Sequence, residues 1–543
     1  MSTTIPTKIE KCKGAMVASA IGDALGWPNE PCSKNRAKKP KTADHFVEWT
    51  RSCKYPRYHD EIILPGEYSD DTQMTLSVAR SIIAGDWERF LTEKEIPFWL
   101  NYERGGGGAL LKASRSLSEK KISPWQSNYT RDYFNAGGNG STMRILPHVI
   151  AMSKTPDITV LMQDIIKDTL ITHGHPRAFL GATCYAYALN YLMTKETVLE
   201  YGELVNILID GQEEWAANIN SELFGNWLNV ANQHQDYDFF TEWNNTCIRM
   251  LQQLEFIKSS LKKGLMLDDT KVLTELGCFG KANGAGDVAA LAAIYLASRY
   301  ANSPVLGIKV PAFSFGSDTD TIASITGGLL GMLSGTSWIP VEWKSVQDYD
   351  CLIQITELLL ADNRKEATKV EVAEAKAQDN DWVTTQIGKM RLVDTKNATN
   401  GKNGIVIIKK WQTVLGQTLY TKTFQPNNEQ VQIPHQPSLY EMAERPANKI
   451  ESQPQTHNAT SIPIEREEKI PSQKSQNQFV LNSTSIVALL DNPKFKTSMT
   501  VGKMMKIINL LLEGNETNDT IAKRLNVDHT MVDLIKKCII EGQ

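Results

Sequence analysis

Residues 315–335 read FGSDTDTIASITGGLLGMLSG, and their spacing sets the fold class. Ile322, Ile325 and Leu329 recur every three or four residues, the period of a core-facing helix. The positions between them are Ala, Ser, Thr and Gly, small enough for a second helix to approach closely. Asp318, Asp320 and Thr321 stand at the start of this helix, where its positive end favours carboxylates. Two more stretches follow the same grammar. Met74, Val78 and Ile82 continue a helix opened by Ser69-Asp70-Asp71-Thr72, and GAMVASAIGDALG (14–26) is a run of small and apolar residues. Together they predict a mainly α protein, with a helical domain over residues 1–378 closed by an exposed helix from Glu357 to Lys376.

Taken alone, Ser69-Asp70-Asp71-Thr72 is a capped helix start. Two adjacent carboxylates repel, however, and a cap needs only one. A hard divalent cation would relieve the repulsion and use every oxygen. Asp318, Asp320 and Thr321 repeat the design. An all-oxygen ligand set favours Mg²⁺ or Mn²⁺ over Zn²⁺ or copper. Four carboxylates on one site would hold two ions, able to orient substrate hydroxyls and activate water.

Between the clusters lie GGNGSTMR (137–144) and THGHP (172–176). Glycine-rich backbone can approach an anion and cradle phosphates, although a turn before a helix is the simpler reading. His173 and His175 suit pocket or capping positions, or ligands. GGGG at 105–108 reads as a flexible loop.

The remaining 165 residues change texture. IGKMRLV, GIVIIKKW and TLYTKTF predict a small β-containing segment at 379–424. Residues 425–484, rich in Gln, Pro, Asn and Ser, are expected to be a flexible linker. In 485–543, TNDTIAKRLNV and DHTMVDLIKK resemble a helix-turn-helix with Ile521, Ala522, Leu525, Val527, Val532 and Ile535 as its core. Six Lys/Arg against six Asp/Glu over 498–543 supply little attraction for phosphate. Docking of a protein partner, or self-association, is expected there ahead of DNA binding.

The net charge of −4 over 543 residues argues against a chain-wide polyanion-binding surface. No apolar run reaches membrane-spanning length, and MSTTIPTKIEKCKGAM lacks the apolar centre of a signal peptide. Eight cysteines without a C-x-x-C pair suit reduced thiols. A cytoplasmic location without membrane contact is the expectation.

In order and wording, GAMVASAIGDALGWPNE (14–30), YSDDTQMTL (68–76), GGNGSTMR (137–144), THGHPRAFLGA (172–182) and FGSDTDTIASITGGLLGMLSG (315–335) resemble the ADP-ribosylglycohydrolases, including dinitrogenase reductase-activating glycohydrolase. The resemblance implies an all-helical domain with a binuclear Mg²⁺ or Mn²⁺ centre below an ADP-ribose cleft. Ser69, Asp70, Asp71, Asp318, Asp320 and Thr321 fall at the family's metal positions. Glu30 falls at an acidic gate residue, and the catalytic residues the resemblance implies are Asp70, Asp71, Asp318 and Glu30, with the aspartates at the metals or Glu30 relaying the proton. Asn135, Gly137, Gly138, Asn139, Gly140 and Ser141 fall where the family holds diphosphate and ribose, His173 at another ligand contact, and Gly284 in a further substrate loop. The implied activity is hydrolysis of the bond between ADP-ribose and a protein side chain, nucleobase or small molecule. The alternative is an ADP-ribose sensor coupled to the C-terminal module.

Overall fold

A computed structural model describes residues 5–31, 45–154, 156–216, 224–234, 237–362, 364, 381–399, 404–426, 507, 510, 511 and 517–541. The chain divides into two units, Met1–Ala447 and Asn448–Gln543. The first is organised around two helices, α1 (Lys8–Gly26) and, far along the chain, α8 (Thr319–Ser334). Neither has a broad polar face: Ala15 to Leu25 and Thr319 to Met332 are buried throughout. What brings them together is the glycines. A Cβ at Gly22 would fall 2.1 Å from the Ala323 carbonyl oxygen, one at Gly327 2.1 Å from that of Ala18, and one at Gly331 2.1 Å from that of Gly14. The backbones therefore touch along an antiparallel seam, on which Ser19 and Ser324 hydroxyls bond at 2.8 Å. Because the helices run antiparallel, the C-terminal end of α1 meets the N-terminal end of α8.

Other helices wrap this pair. They include α2 (Asp70–Ala84), α3 (Ile158–Leu170), α4 (Pro176–Thr194), α5 (Phe239–Leu261), α6 (Gly286–Arg299), α7 (Pro304–Ala312) and α9 (Tyr349–Leu360). α4 and α6 also meet at backbone distance, since a Cβ on Gly181 would lie 2.2 Å from the Gly286 carbonyl carbon. Their apolar sides join one continuous core, and each large aliphatic or aromatic side chain buried there contributes about 1.5–3 kcal/mol. Six cysteines, 12, 53, 184, 247, 278 and 351, are free and buried. Among the described residues no helix is long and apolar enough to cross a membrane.

A hairpin of β1 (Trp49–Cys53) and β2 (His59–Ile63) follows α1. The β-containing segment expected after the helices is a four-stranded antiparallel sheet, β3 (Trp382–Thr385), β4 (Gly388–Thr399), β5 (Gly404–Thr413) and β6 (Thr418–Pro426), in sequential order. It is bonded into the helical unit. Thr418 N donates to Asp348 at 2.8 Å, Lys422 pairs with Glu61 at 2.8 Å, and the Tyr420 hydroxyl donates to Glu67.

In the second unit, α10 (Asn518–Leu525) and α11 (His529–Glu541) are joined through Asn526 in the left-handed region at φ 49°. Ile521, Ala522, Val532 and Ile535 are buried; Leu525 and Val527 are partly so. The exposed helix expected over Glu357–Lys376 is corrected where it is described: α9 ends at Leu360, Ala361 is extended, and Leu358 and Leu359 are buried in the core, while the rest lies outside the described residues except for Ala361, Asp362 and Arg364. The linker expected from residue 425 yields its first two residues to β6 and otherwise lies outside the described residues.

Candidate metal and substrate site

The seam between α1 and α8 delivers Glu30, just past α1, to Asp318 and Asp320 at the head of α8. One carboxylate oxygen from each of the three lies within 4.8 Å of the others. Glu30 Oε1 accepts from Thr319 N at 2.8 Å and Thr319 Oγ1 at 2.7 Å, so it does the capping that Asp318, the N-cap residue by position, does not do with its own side chain. Asp318 Oδ2 instead accepts from Asn139 Nδ2 at 2.9 Å.

The second cluster joins from α2. Ser69 Oγ caps that helix by accepting from Asp71 N at 3.2 Å. Asp71 Oδ2 accepts from Thr321 Oγ1 at 3.2 Å, which ties the two clusters together. Asp71 Oδ1 is buried and has no hydrogen-bond partner. Asp70 Oδ1 faces the glycine loop that begins at Gly105, 2.7 Å from where a Cβ on that residue would stand.

Burial, reinforced by neighbouring carboxylates, sets the electrostatics. It raises Asp70, with Asp23 and Glu103 adding to the effect. Asp71 is raised by burial and then by Asp23, Asp70 and Asp318. Asp320 is raised by burial and then by Glu30, Asp71, Asp318 and Asp23. Carboxylates so crowded prefer to be protonated unless a cation joins them. The orphaned Asp71 Oδ1 and the all-oxygen donor set fit a hard divalent ion.

Sequence reasoning passed over Asp23. It is fully buried on α1 and accepts from Ser69 N at 2.9 Å, Thr72 N at 3.0 Å and Thr72 Oγ1 at 2.6 Å. It thereby fixes the backbone that carries Asp70 and Asp71. Its signal was a lone carboxylate within an otherwise small and apolar helix. The loop 105–108 also differs from its sequence reading. Gly105 sits at φ 119° against Asp70, Gly106 lies against the Trp99 ring, and Gly108 begins a helix. The absence of a Cβ at Gly105 lets the loop close on the carboxylate.

The glycine-rich segments are placed beside this cluster. Asn139 N donates to the Gly284 carbonyl and Gly286 N to that of Gly137, both at 3.0 Å. A Cβ on Gly284 would lie 3.1 Å from Asp318 Oδ2. The amides of Gly137 and Asn139 are thus spent on the Asn135 and Gly284 carbonyls, and not on a ligand. Asn135 itself is exposed and donates to the Arg131 carbonyl. Ser141 is buried, its hydroxyl without a partner. His173 lies under Gly138 and Gly140, with Nε2 3.7 and 3.3 Å from the positions their Cβ atoms would take. Its Nδ1 meets Thr172 Oγ1 at 2.7 Å, and burial, then the Arg144 charge, pushes the ring down to about 3. His175 caps α4 by accepting from Arg177 N.

The profile of the ADP-ribosylglycohydrolase family matches residues 4–369. Similar proteins include the ADP-ribosylhydrolase ARH3 of Danio rerio, 22% identical over 354 residues, which are 62% of this chain and 86% of that protein. The ADP-ribosylarginine hydrolase Tri1 of Serratia proteamaculans is 25% identical over 190 residues, 34% of this chain and 48% of that protein. The ADP-ribosyl-dinitrogen reductase glycohydrolase of Rhodospirillum rubrum is 25% identical over 243 residues, 44% and 68% respectively.

Proposed function

The chain belongs to the ADP-ribosylglycohydrolase family, and from that premise we propose that it hydrolyses the glycosidic bond at C1″ of ADP-ribose with two Mg²⁺ or Mn²⁺ ions. The observation that carries the reading is the convergence of Glu30, Asp318 and Asp320 with Asp71, whose Oδ1 lacks any partner. Ser69, Asp70, Asp71, Asp318, Asp320 and Thr321 would hold the ions. When bound, the ions would supply positive charge that orients the ribose hydroxyls and acidifies water.

The protein groups divide the remaining work by exposure. Asp71 and Asp320 are buried, whereas Glu30 and Asp318 are only partly so. The latter two can therefore meet substrate and solvent. Thr319 pins Glu30 Oε1 with two hydrogen bonds, so the carboxylate is held in one orientation. Glu30 takes the proton of the attacking water as its oxygen bonds to C1″, and returns it to the acceptor atom that leaves as the old bond breaks. General-base help of this kind is worth about 10²–10⁴-fold. Asn139, by holding Asp318, orients a cluster member from the glycine-rich side. His173, neutral because buried, hydrogen-bonds without bringing charge to the site.

The acceptor is read out by a panel of ADP-ribose conjugates linked through arginine, serine, a nucleobase and a small alcohol, each assayed with Mg²⁺ and with Mn²⁺. Release of ADP-ribose from at least one linkage is expected. No release from any of them, with ADP-ribose still bound, would make the chain a sensor.

A further inference from the structure

Cys53, His59 and Glu61 stand on one face of the β1–β2 hairpin. Side chains alternate along a strand, and the register pairs Cys53 directly with His59, with Glu61 two residues further along β2. All three are buried, at 3%, 2% and 2% exposure. One ligand atom from each lies within 4.8 Å of the other two, and the Cys53 thiol donates to Glu61 Oε2 at 3.3 Å. None of the three belongs to the aspartate cluster.

His59 decides what this cluster is for. Its Nδ1 lies 2.7 Å from the Arg57 carbonyl oxygen, which can only accept, so Nδ1 carries the hydrogen. Burial holds the ring below its ordinary pKa, so Nε2 keeps its lone pair. That nitrogen is buried and has no hydrogen-bond partner. A buried acceptor that nothing meets destabilises the fold. Histidines that bind metals commonly donate their other N–H to a backbone carbonyl in this way, which fixes tautomer and ring orientation.

We propose that Cys53 Sγ, His59 Nε2 and a Glu61 carboxylate oxygen form a second cation site, selective for Zn²⁺ and chemically unlike the all-oxygen cluster. A thiolate, an imidazole and a carboxylate are a zinc ligand set, and three protein ligands leave the fourth tetrahedral position open. Tetrahedral bonds of about 2.0–2.3 Å bring ligand atoms close together, and Cys53 Sγ and Glu61 Oε2 already stand 3.3 Å apart. Binding releases the Cys53 thiol proton to solvent as the S–Zn bond forms.

Three cations already surround Glu61. Arg104 holds Oε1 at 2.7 Å, Lys422 holds Oε2 at 2.8 Å, and Arg51 stands 3.7 Å from Oε2. A carboxylate oxygen has two lone pairs, so Oε2 would serve the ion while still accepting from the Lys422 ammonium, and Arg104 would keep Oε1. The site would then fasten the hairpin, whose Trp49 packs edge-on against Trp27 with ring centroids 5.0 Å apart, next to the Gly105 loop.

The test uses the full chain, stripped by a chelator and then saturated with Mg²⁺ to fill the oxygen cluster. Co²⁺ is added as the spectroscopic probe, because only a thiolate ligand gives a near-ultraviolet sulfur-to-cobalt band. The band should saturate at one Co²⁺ per chain, disappear on adding Zn²⁺, and be lost in both Cys53→Ser and His59→Gln. Thermal melts establish that each variant folds, and Cys53→Ala or His59→Asn replaces one that does not. No band in the unmodified protein, or a band that persists in either folded variant, overturns the proposal.

Discussion

Asp71 concentrates the problem the site has to solve. One of its oxygens accepts from Thr321 and the other has no partner, amid neighbours of like charge. Asp71→Asn should therefore leave the metal-free protein as stable as before, or more so, because a repulsion is removed. The same change should cut turnover by about a hundredfold or more, the scale of losing several kcal/mol of metal-assisted stabilisation. Melting curves without metal and rates with Mg²⁺ check the two halves. A variant that melts earlier without metal yet turns over normally would mean that Asp71 is a structural residue.

His173 makes a prediction about protons. Its folded pKa is about 3, against about 6.5 unfolded. Below pH 6.5 the unfolded chain takes up a proton that the folded chain refuses until about pH 3. Stability from this residue is thus complete above pH 6.5 and falls as the pH drops. His173→Gln should flatten the decline in melting temperature between pH 7 and pH 5; an unchanged slope would contradict the burial account. At this scale the sequence was informative about carboxylates and silent about their supports. Adjacent aspartates announce mutual repulsion, but nothing near Asp23 in the chain says that its partners are Ser69 and Thr72.

Among the elements, the antiparallel seam of α1 and α8 does most to build the site. Its glycines were legible as permission for close approach, and the paired aspartates as helix starts. Which helix would meet which was not legible, because any two small-residue faces can pack. Gly22→Ala places a methyl 2.1 Å from the Ala323 oxygen, so the helices must part. Overpacking of this kind costs about 1–3 kcal/mol, and the separation also moves Glu30 away from Asp320. A lower melting temperature together with weaker Mg²⁺ affinity is expected from calorimetry. Normal affinity in a destabilised variant would show that the seam serves stability alone.

The β6 strand was readable as a strand, from its β-branched and aromatic residues, but not as a buttress. Lys422 and Tyr420 look like surface residues in TLYTKTF, yet they reach buried Glu61 and Glu67. Periodicity reports which face is buried and says nothing of a charged residue that finds its counter-ion elsewhere in the chain.

For the whole molecule, this buttress sets where the first unit can be cut. A chain ending after Pro426 keeps every described element of that unit and should retain hydrolysis. A chain ending at Asp381 leaves Glu61 and Glu67 without Lys422 and Tyr420, and breaking a buried pair costs about 3–5 kcal/mol. Comparing melting temperature and ADP-ribose release for the two truncations separates them; equal behaviour would show the sheet to be dispensable. The most direct measurement is ADP-ribose release by the full chain after chelation, before and after adding back one divalent ion. The account predicts no release in chelator, recovery with Mg²⁺ or Mn²⁺, and no recovery in Asp71→Asn. Full release in the presence of chelator would contradict it.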